Sequence, residues 1–208
     1  MARFWLRVIR RSSKYEQIGL KNRSFGCVIL LADLQAGIVE RTQTLPLERL
    51  KTAVRGLAKL AKLFGMPAIV SGIRGEGGSA AKMIEEISEG LGTLPTHHRT
   101  TCDSFLNEEI VAAIEATGRK TLLISGVATE LAVQLPALTA SDQRYRVYVV
   151  LDACGGMSKR TEQAAVLRLA KAGATTVSVM TLAGEIAGDF RDAKAQQAIG
   201  ILYEMAQS

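Results

Sequence analysis

The sequence lacks the features of a disulfide-rich or membrane-spanning protein. It has only three cysteines, Cys27, Cys102 and Cys154. Because this set is odd in number and scattered, it fits a reducing cytoplasm better than a disulfide framework. Every long apolar stretch is interrupted by Gly, Glu or Gln, so none approaches the roughly 20 residues that span a bilayer. We therefore expect a cytoplasmic protein that does not enter a membrane.

Most of the chain also carries no net charge, because the excess of basic side chains lies at its N-terminus. Residues 1–23 carry seven basic side chains and one acidic side chain, which gives +6, and the whole chain is also +6. Residues 24–208 are therefore neutral, with 19 basic and 19 acidic side chains, and offer no basic surface for nucleic acid. We interpret residues 1–23 as a basic N-terminal extension. An organelle transit peptide fits its composition, but an unstructured or vector-derived segment is the simpler interpretation.

From Gly26 onward, strand and helix patterns alternate without an internal repeat or a linker. This alternation predicts one domain, residues 24–208, with a three-layer α/β/α architecture and a doubly wound, mainly parallel sheet of Rossmann-like type. Apolar strands are predicted at residues 27–32, 68–71, 121–124, 146–151 and 175–179. Helices are predicted at residues 46–65, 80–89, 107–117, 130–138, 161–171, 182–186 and 193–205. Residues 72–79 are interpreted as a mobile lid and residues 95–102 as an irregular link.

The segment from Thr121 to Leu138, TLLISGVATELAVQLPAL, predicts a buried strand that turns sharply into a helix. Thr129 stands at the N-cap position, and Glu130 begins the first helical turn. The N–H groups at such a turn favour a negative oxygen, as in the oxyanion hole of an acyl-transfer enzyme. An ordinary strand–helix junction is the simpler interpretation of the same pattern.

Candidate site residues follow several of the predicted strands. Because ligands bind outside the carboxyl ends of parallel strands, we expect these residues to converge on one site. Asp33 closes an apolar strand, where desolvation raises the pKa of a carboxyl group unless a cation lies near. A carboxylate that caps a neighbouring loop is the structural alternative. The set comprises Asp33, Arg99, residues 128–132 and residues 152–155.

The pattern G-V-x-T-E-x-x-V at residues 126–133, with D-x-Q at Asp33 and Gln35, resembles the isochorismatase-like (cysteine hydrolase) superfamily. The sequences ATGRKTLLISGVATE, QLPAL, VYVVLDACGG and RLAKAGA most resemble its YcaC-like branch. The resemblance spans roughly residues 27–190. It implies an isochorismatase-like hydrolase domain at residues 24–208 that acts on a small molecule and forms a homo-oligomer. Leu131, Leu135 and Leu138 could lie between subunits, although core packing is an equally simple role for them.

The resemblance also assigns roles to residues. It implies that Asp33 is the general base and that Gln35 orients the loop or the substrate. The family's cation lies six or seven residues before an aromatic residue, and counting back from Phe105 gives Arg99 or His98. We choose Arg99, because a permanent cation can hold Asp33 ionised. A solvated surface arginine is the alternative.

At the turn, the resemblance implies a non-proline cis peptide between Val127 and Ala128. The N–H groups of Ala128 and Ala132 become the oxyanion donors, and Thr129 belongs to the same binding turn. Glu130 braces the start of the helix rather than reacting. Zinc amidases of this superfamily require an Asp-x-His and a further His after the second strand. This chain has neither, so we expect no metal and no cofactor.

The sequence departs from the family at Ala132, the position of the nucleophilic cysteine. A methyl group cannot form an acyl-enzyme, so a native alanine excludes thiol-dependent amide hydrolysis at this position. Cys102 and Cys154 fall on the site side of the sheet, although each is more simply a small buried residue. Three interpretations stay open. The protein could catalyse a reaction without a nucleophile, such as hydrolysis of a vinyl ether by protonation. It could be a pseudoenzyme that binds a small ligand or acts as a scaffold, or the alanine could be an engineered replacement.

Overall fold

A computed structural model describes residues 26–80, 82–189 and 191–207. The predicted extension at residues 1–23 lies outside these residues. Within the described part of the chain, six strands form one sheet in the order β3-β2-β1-β4-β5-β6, and every neighbouring pair is parallel. The strands are β1 Cys27–Ala32, β2 Ala68–Gly72, β3 Thr96–His98, β4 Thr121–Val127, β5 Arg146–Gly155 and β6 Thr175–Val177. The predicted doubly wound sheet is confirmed, and its direction of winding reverses between β1 and β4.

Eight α-helices accompany the sheet in the described residues. They are α1 Ala36–Val39, α2 Leu47–Phe64, α3 Glu85–Leu91, α4 Glu108–Ala116, α5 Gln134–Asp142, α6 Lys159–Lys171, α7 Val179–Ala187 and α8 Ala193–Gln207. Helix α2 follows Pro46 and ends at Gly65, which adopts the left-handed conformation that favours glycine. Asn107 caps α4, because its side chain accepts a hydrogen bond from the Ile110 N–H group. None of these helices is long and apolar enough to cross a membrane.

Strand β1 is buried on both faces because it lies in the middle of the sheet. Cys27, Ile29 and Leu31 pack into the core layer that contains α2, α7 and α8. Val28 and Leu30 pack into the opposite layer, which contains α4, α5 and α6. Each fully buried aliphatic side chain contributes about 1.5–3 kcal/mol. The two layers hold the carboxyl end of β1 at a fixed place at the edge of the sheet.

Two predictions for the chain after the second strand are wrong. Residues 95–102 contain strand β3, a three-residue edge strand that pairs only with β2. Helix α3 begins at Glu85 rather than at residue 80. Residues 82–84 are instead held in extended form by the segment after β1: the Ile84 N–H bonds to the Leu34 carbonyl at 2.9 Å, and the Ala36 N–H bonds to the Lys82 carbonyl at 3.1 Å. Tertiary pairing of the backbone therefore overrides the helical pattern.

Three further boundaries differ at the carboxyl ends of strands. Strand β4 continues to Val127, and β5 continues to Gly155, so that Asp152 lies inside a strand rather than after one. Strand β6 ends at Val177, and Val179 begins α7. The Ser178 side chain caps this helix by accepting from the Thr181 N–H group.

Candidate functional site

Asp33 lies directly after β1, which is next to the point where the winding of the sheet reverses. Its φ of 54° is in the left-handed region, which aspartate enters more readily than most residues. Its N–H group donates to the Ser71 carbonyl on β2 at 2.9 Å. The residue is only 7% exposed. The backbone of two neighbouring strands therefore fixes this carboxyl group below the surface.

Arg99 follows β3 and supplies the cation. Its Nη2 group donates to Asp33 Oδ2 at 2.6 Å, and the residue is only 4% exposed. Its Nε donates to Ser71 Oγ at 3.1 Å, and its Nη1 donates to the Thr101 carbonyl. Arg99 thus forms a buried ion pair with Asp33 and is not a solvated surface arginine. The carbonyl of His98, the other candidate, accepts a hydrogen bond from Asn107 Nδ2 at 3.2 Å.

The two oxygens of Asp33 have different surroundings. Oδ2 receives Arg99, whereas Oδ1 is buried and has no hydrogen-bond partner among the described residues. Burial raises the pKa of Asp33, and the Arg99 charge and hydrogen bond oppose this effect without cancelling it. The carboxyl group therefore holds a proton more tightly than an exposed aspartate does. Its Oδ1 is the oxygen that no described residue occupies.

The turn after β4 lies beside Asp33 in the sheet. Ala32 pairs with Gly126 across β1 and β4, so Asp33 and Val127 leave neighbouring strands at the same edge. A Cβ atom at Gly126 would lie 2.1 Å from the Ala32 carbonyl oxygen. Only glycine allows this close approach of the two strands.

The predicted cis peptide between Val127 and Ala128 is confirmed. It is followed by a single π-helical turn, Thr129–Val133, which leads into α5. Ala128 and Ala132 are both buried, at 8% and 2% exposed. A π-helical turn at this position is a feature that sequence spacing did not predict, and such turns are frequent at functional sites.

Thr129 does not cap the helix as predicted. The N-cap position of the π-helical turn is Ala128, and no side chain caps it. The Thr129 hydroxyl instead donates to Glu162 Oε1 on α6 at 2.7 Å. A neighbouring helix therefore anchors the turn from outside.

A cavity of about 680 Å³ borders Arg99, and the residues around it include neither Asp33 nor the turn after β4. Its volume falls in the range of small-molecule sites. The other residues around it are Ile73, Arg74, Thr96, His98, Thr100 and Glu109.

Comparison with known proteins identifies the family. The isochorismatase domain matches residues 27–181, which is most of the chain. The chain belongs to the isochorismatase family. It is also 34% identical over 165 residues to "Probable hydrolase YcaC" of Escherichia coli (strain K12), and the match covers 79% of each protein.

Two solved YcaC structures share the fold. The Escherichia coli structure, described as an octameric hydrolase of unknown specificity, gives a TM-score of 0.82 at 29% identity and covers 91% of this chain and 94% of that chain. The structure from Pseudomonas aeruginosa contains hexane-2,5-diol and covalent acrylamide. It gives a TM-score of 0.81 at 28% identity over the same shares of the two chains. This member of the isochorismatase family is thus YcaC-like in both sequence and fold.

Gln35 connects two loops of this isochorismatase-family site. Its Nε2 donates to the Ile73 carbonyl at 3.0 Å, and its Oε1 accepts from the Ile73 N–H at 2.9 Å. The amide thus binds both backbone groups of one residue in the loop after β2. Of the two roles expected for Gln35, orienting the loop is the one that these contacts support.

Glu130 braces the chain near α6. It accepts hydrogen bonds from the Met157 N–H at 3.0 Å and from the Thr161 hydroxyl at 2.5 Å. The helix start that these contacts brace is that of α6 rather than that of its own segment. Thr129 and Glu130 together fasten the turn after β4 to this helix.

Asp152 and Cys154 do not join the Asp33–Arg99 pair. Both oxygens of Asp152 accept from the Val179 N–H group, at 2.9 and 3.1 Å, so this carboxylate holds the start of α7. Asp152 and Cys154 border a separate cavity of about 530 Å³ beside β6. The Cys154 thiol donates to the Val150 carbonyl at 3.2 Å, and burial raises its pKa to about 12. It is therefore a protonated, buried thiol and not a substitute nucleophile.

The interpretation of Cys102 as a buried residue is wrong, because Cys102 is exposed. It lies in the loop between β3 and α4, in the sequence that follows Arg99. Within the described residues, no group of three or more His, Cys, Asp and Glu side chains could hold a metal ion.

Two buried serines escaped the sequence analysis. Ser71 and Ser104 are both 0% exposed, and their Oγ atoms lie 3.1 Å apart. The one signal in the sequence was a serine at the end of the apolar strand AIVSG. A hydroxyl buried in a sheet requires a partner, and here that partner is the side chain of Arg99.

Proposed function

We propose that this protein is a small-molecule hydrolase in which Asp33 transfers the proton and no covalent intermediate forms. The observation that carries the proposal is the buried Asp33–Arg99 pair, in which one carboxylate oxygen bonds to the cation and the other has no hydrogen-bond partner among the described residues. Family membership and the similarity to a probable hydrolase support the reaction class.

The bond to be cleaved follows from the chemistry of Asp33. A carboxyl group whose pKa is raised can donate a proton to the carbon of a vinyl ether, after which water adds to the resulting cation and the alcohol leaves. The same group, once ionised, can activate water for direct attack on an amide. The raised pKa of Asp33 favours hydrolysis of a vinyl ether over hydrolysis of an amide. Arg99 then stabilises the carboxylate that remains when the proton has left.

The turn after β4 supplies the other half of the proposed site. The N–H groups of Ala128 and Ala132 are proposed donors to the negative oxygen of the substrate, with Val127 and Thr129 shaping the same turn. Gln35 positions the loop after β2. In this proposal Ala132 makes no bond to the substrate except through its N–H group, which is compatible with its methyl side chain.

We further propose that the chain is a homo-oligomer, as described for its Escherichia coli relative. Leu131, next to Ala132, is 50% exposed. Leu135 and Leu138 are half-buried, so none of the three leucines is a core residue. Apolar side chains at this position favour a contact between subunits over packing within the domain.

A second candidate function is ligand binding without turnover. It is favoured by the alanine at position 132, together with the high pKa of the buried Cys154 thiol, which keeps that thiol protonated. A protein that keeps the Asp33–Arg99 pair and the turn could bind a small polar ligand through them and serve as a binding or scaffold protein.

One experiment separates the two functions. The purified protein is assayed on a panel of small vinyl ethers and amides, alongside Asp33→Asn and the matched control Asp152→Asn. If Asp33 is the acid, hydrolysis falls by about 100-fold or more in Asp33→Asn and stays near normal in Asp152→Asn. Amide hydrolysis gained in Ala132→Cys shows that the remaining machinery accepts a thiol nucleophile. A panel without turnover, but with compounds that raise the melting temperature, rejects the hydrolase in favour of the binding protein.

A further inference from the structure

Ser71 contacts both members of the Asp33–Arg99 pair. Its carbonyl oxygen accepts from the Asp33 N–H group at 2.9 Å, and its Oγ accepts from Arg99 Nε at 3.1 Å. Its Oγ also lies 3.1 Å from Ser104 Oγ. One residue thus bonds to the backbone of the acid and to the side chain of its cation.

The donor of the Arg99–Ser71 hydrogen bond is known, whereas either hydroxyl can donate in the Ser71–Ser104 bond. Arginine can only donate hydrogen bonds, so its Nε–H uses an acceptor position of Ser71 Oγ. The hydroxyl hydrogen of Ser71 then remains available to Ser104 Oγ, which gives a chain from Arg99 through Ser71 to Ser104. Hydrogen bonds in such a buried chain strengthen one another.

The chain explains an unusual feature of the ion pair. Arginine and carboxylate groups frequently pair through two parallel hydrogen bonds, which occupy both carboxylate oxygens. Here Nε is held by Ser71 and Nη1 by the Thr101 carbonyl, so Nη2 alone reaches Asp33. Because the guanidinium is planar and rigid, fixing two of its nitrogens also fixes the direction of the third. Oδ1 of Asp33 is left without a partner among the described residues.

We infer that Ser71 and Ser104 are positioning residues, which hold Arg99 on one oxygen of Asp33 and keep the other oxygen open for proton transfer. The chemical meaning of this arrangement rests on the proposed function, but the arrangement itself can be tested without a substrate. Arg99 is the charged group that acts on the pKa of Asp33 in the described part of the chain. The two serines therefore act on Asp33 through Arg99.

A double-mutant cycle measured against pH tests the inference. Ser71→Ala is made alone and together with Asp33→Asn, and melting temperatures are recorded between pH 4 and pH 8. Since Arg99 stabilises the ionised form of Asp33, its misalignment costs most at high pH, where that form is present. We expect Ser71→Ala to lower the melting temperature by about 3 °C at pH 8. The loss shrinks as the pH falls and Asp33 gains a proton, and its pH dependence disappears in the Asp33→Asn background.

Two further variants sharpen the test. Ser104→Ala acts one step further from Arg99, so it gives a smaller change with the same pH dependence. Ser125→Ala is the matched control: Ser125 is equally buried at 0% exposed, but its hydroxyl donates to the Ala153 carbonyl at 2.6 Å. Its loss should not vary with pH.

A loss in Ser71→Ala that is equal at every pH and unchanged by Asp33→Asn overturns the inference, because the serine then only fills space. This outcome is distinct from a substrate panel without turnover, which counts against the hydrolase and leaves the positioning role intact.

Discussion

Asp33, which follows β1, and Asp152, which lies within β5, are on opposite sides of the point where the winding of the sheet reverses, and burial raises the pKa of both. Asp33 is paired with a buried arginine, and its other oxygen has no hydrogen-bond partner in the part of the chain that the structure describes. Both oxygens of Asp152 accept from the Val179 N–H group at the start of a helix. A raised pKa is therefore shared by a candidate catalytic acid and a structural acceptor. The partners of each oxygen distinguish the two.

Of the changes that test this comparison, removal of the Arg99 cation should have the largest effect on the free energy of unfolding. Arg99→Ala leaves Asp33 buried without its counter-charge, and breaking a buried pair in this way costs about 3–5 kcal/mol. Protonation of Asp33 relieves the unpaired charge, so the loss should decrease as the pH falls. Urea unfolding at pH 7 and pH 5 measures both effects. A loss below about 1 kcal/mol at pH 7 would show that the pair does not support the fold.

Asp152→Asn should have a smaller effect, because an asparagine oxygen can still accept from the Val179 N–H group. We expect a change below about 1 kcal/mol at pH 7. Since the folded-state pKa of Asp152 is raised, the folded protein binds this proton more tightly than the unfolded chain does. That contribution to stability is fully present below the unfolded-state value of 3.8 and is lost as the pH rises through the folded-state pKa.

The variant should lack this pH dependence, which denaturant unfolding across pH 3–7 detects by comparison with the unmodified protein. A loss as large as that of Arg99→Ala would remove the distinction between the two aspartates.

The smallest effect on stability is expected from alkylation of the exposed cysteine thiol. Cys102 is exposed, whereas Cys154 is buried with a pKa of about 12. Iodoacetamide at pH 8 should therefore modify Cys102 in the folded protein and reach Cys154 only after unfolding. Mass spectrometry of the alkylated peptides locates the label, and the melting temperature of the protein labelled at Cys102 should stay nearly unchanged. Rapid labelling of Cys154 in the folded protein would restore it as a candidate nucleophile.

The sequence was sufficient to predict the parallel sheet, because long apolar runs such as β1 and helices such as α2 carry strong patterns. Asp33 could be identified because it closes such a run. Counting back from Phe105, which the resemblance supplied, left Arg99 and His98 as its candidate partners, and the permanent charge of arginine decided between them. The cis peptide likewise came from the resemblance, since no spacing rule predicts it.

The remaining errors have physical causes. Strand β3 is three residues long and lies at the edge of the sheet, so it has no alternation to detect. Residues 82–84, which the sequence predicted to be helical, instead pair with the segment after β1. Thr129 satisfies the usual preference for an N-cap, but the helical turn already includes it and Ala128 takes the N-cap position, while the Thr129 hydroxyl donates to Glu162. In each case a contact distant in sequence decided the outcome.

The close approach at Gly126 limits how such a site can change during evolution. A side chain there would collide with the Ala32 carbonyl, so this position cannot acquire a reactive group. Strand β4 therefore cannot supply a reactive side chain from Gly126. Reactive side chains at this site come instead from residues that follow the strands, as Asp33 follows β1 and Arg99 follows β3.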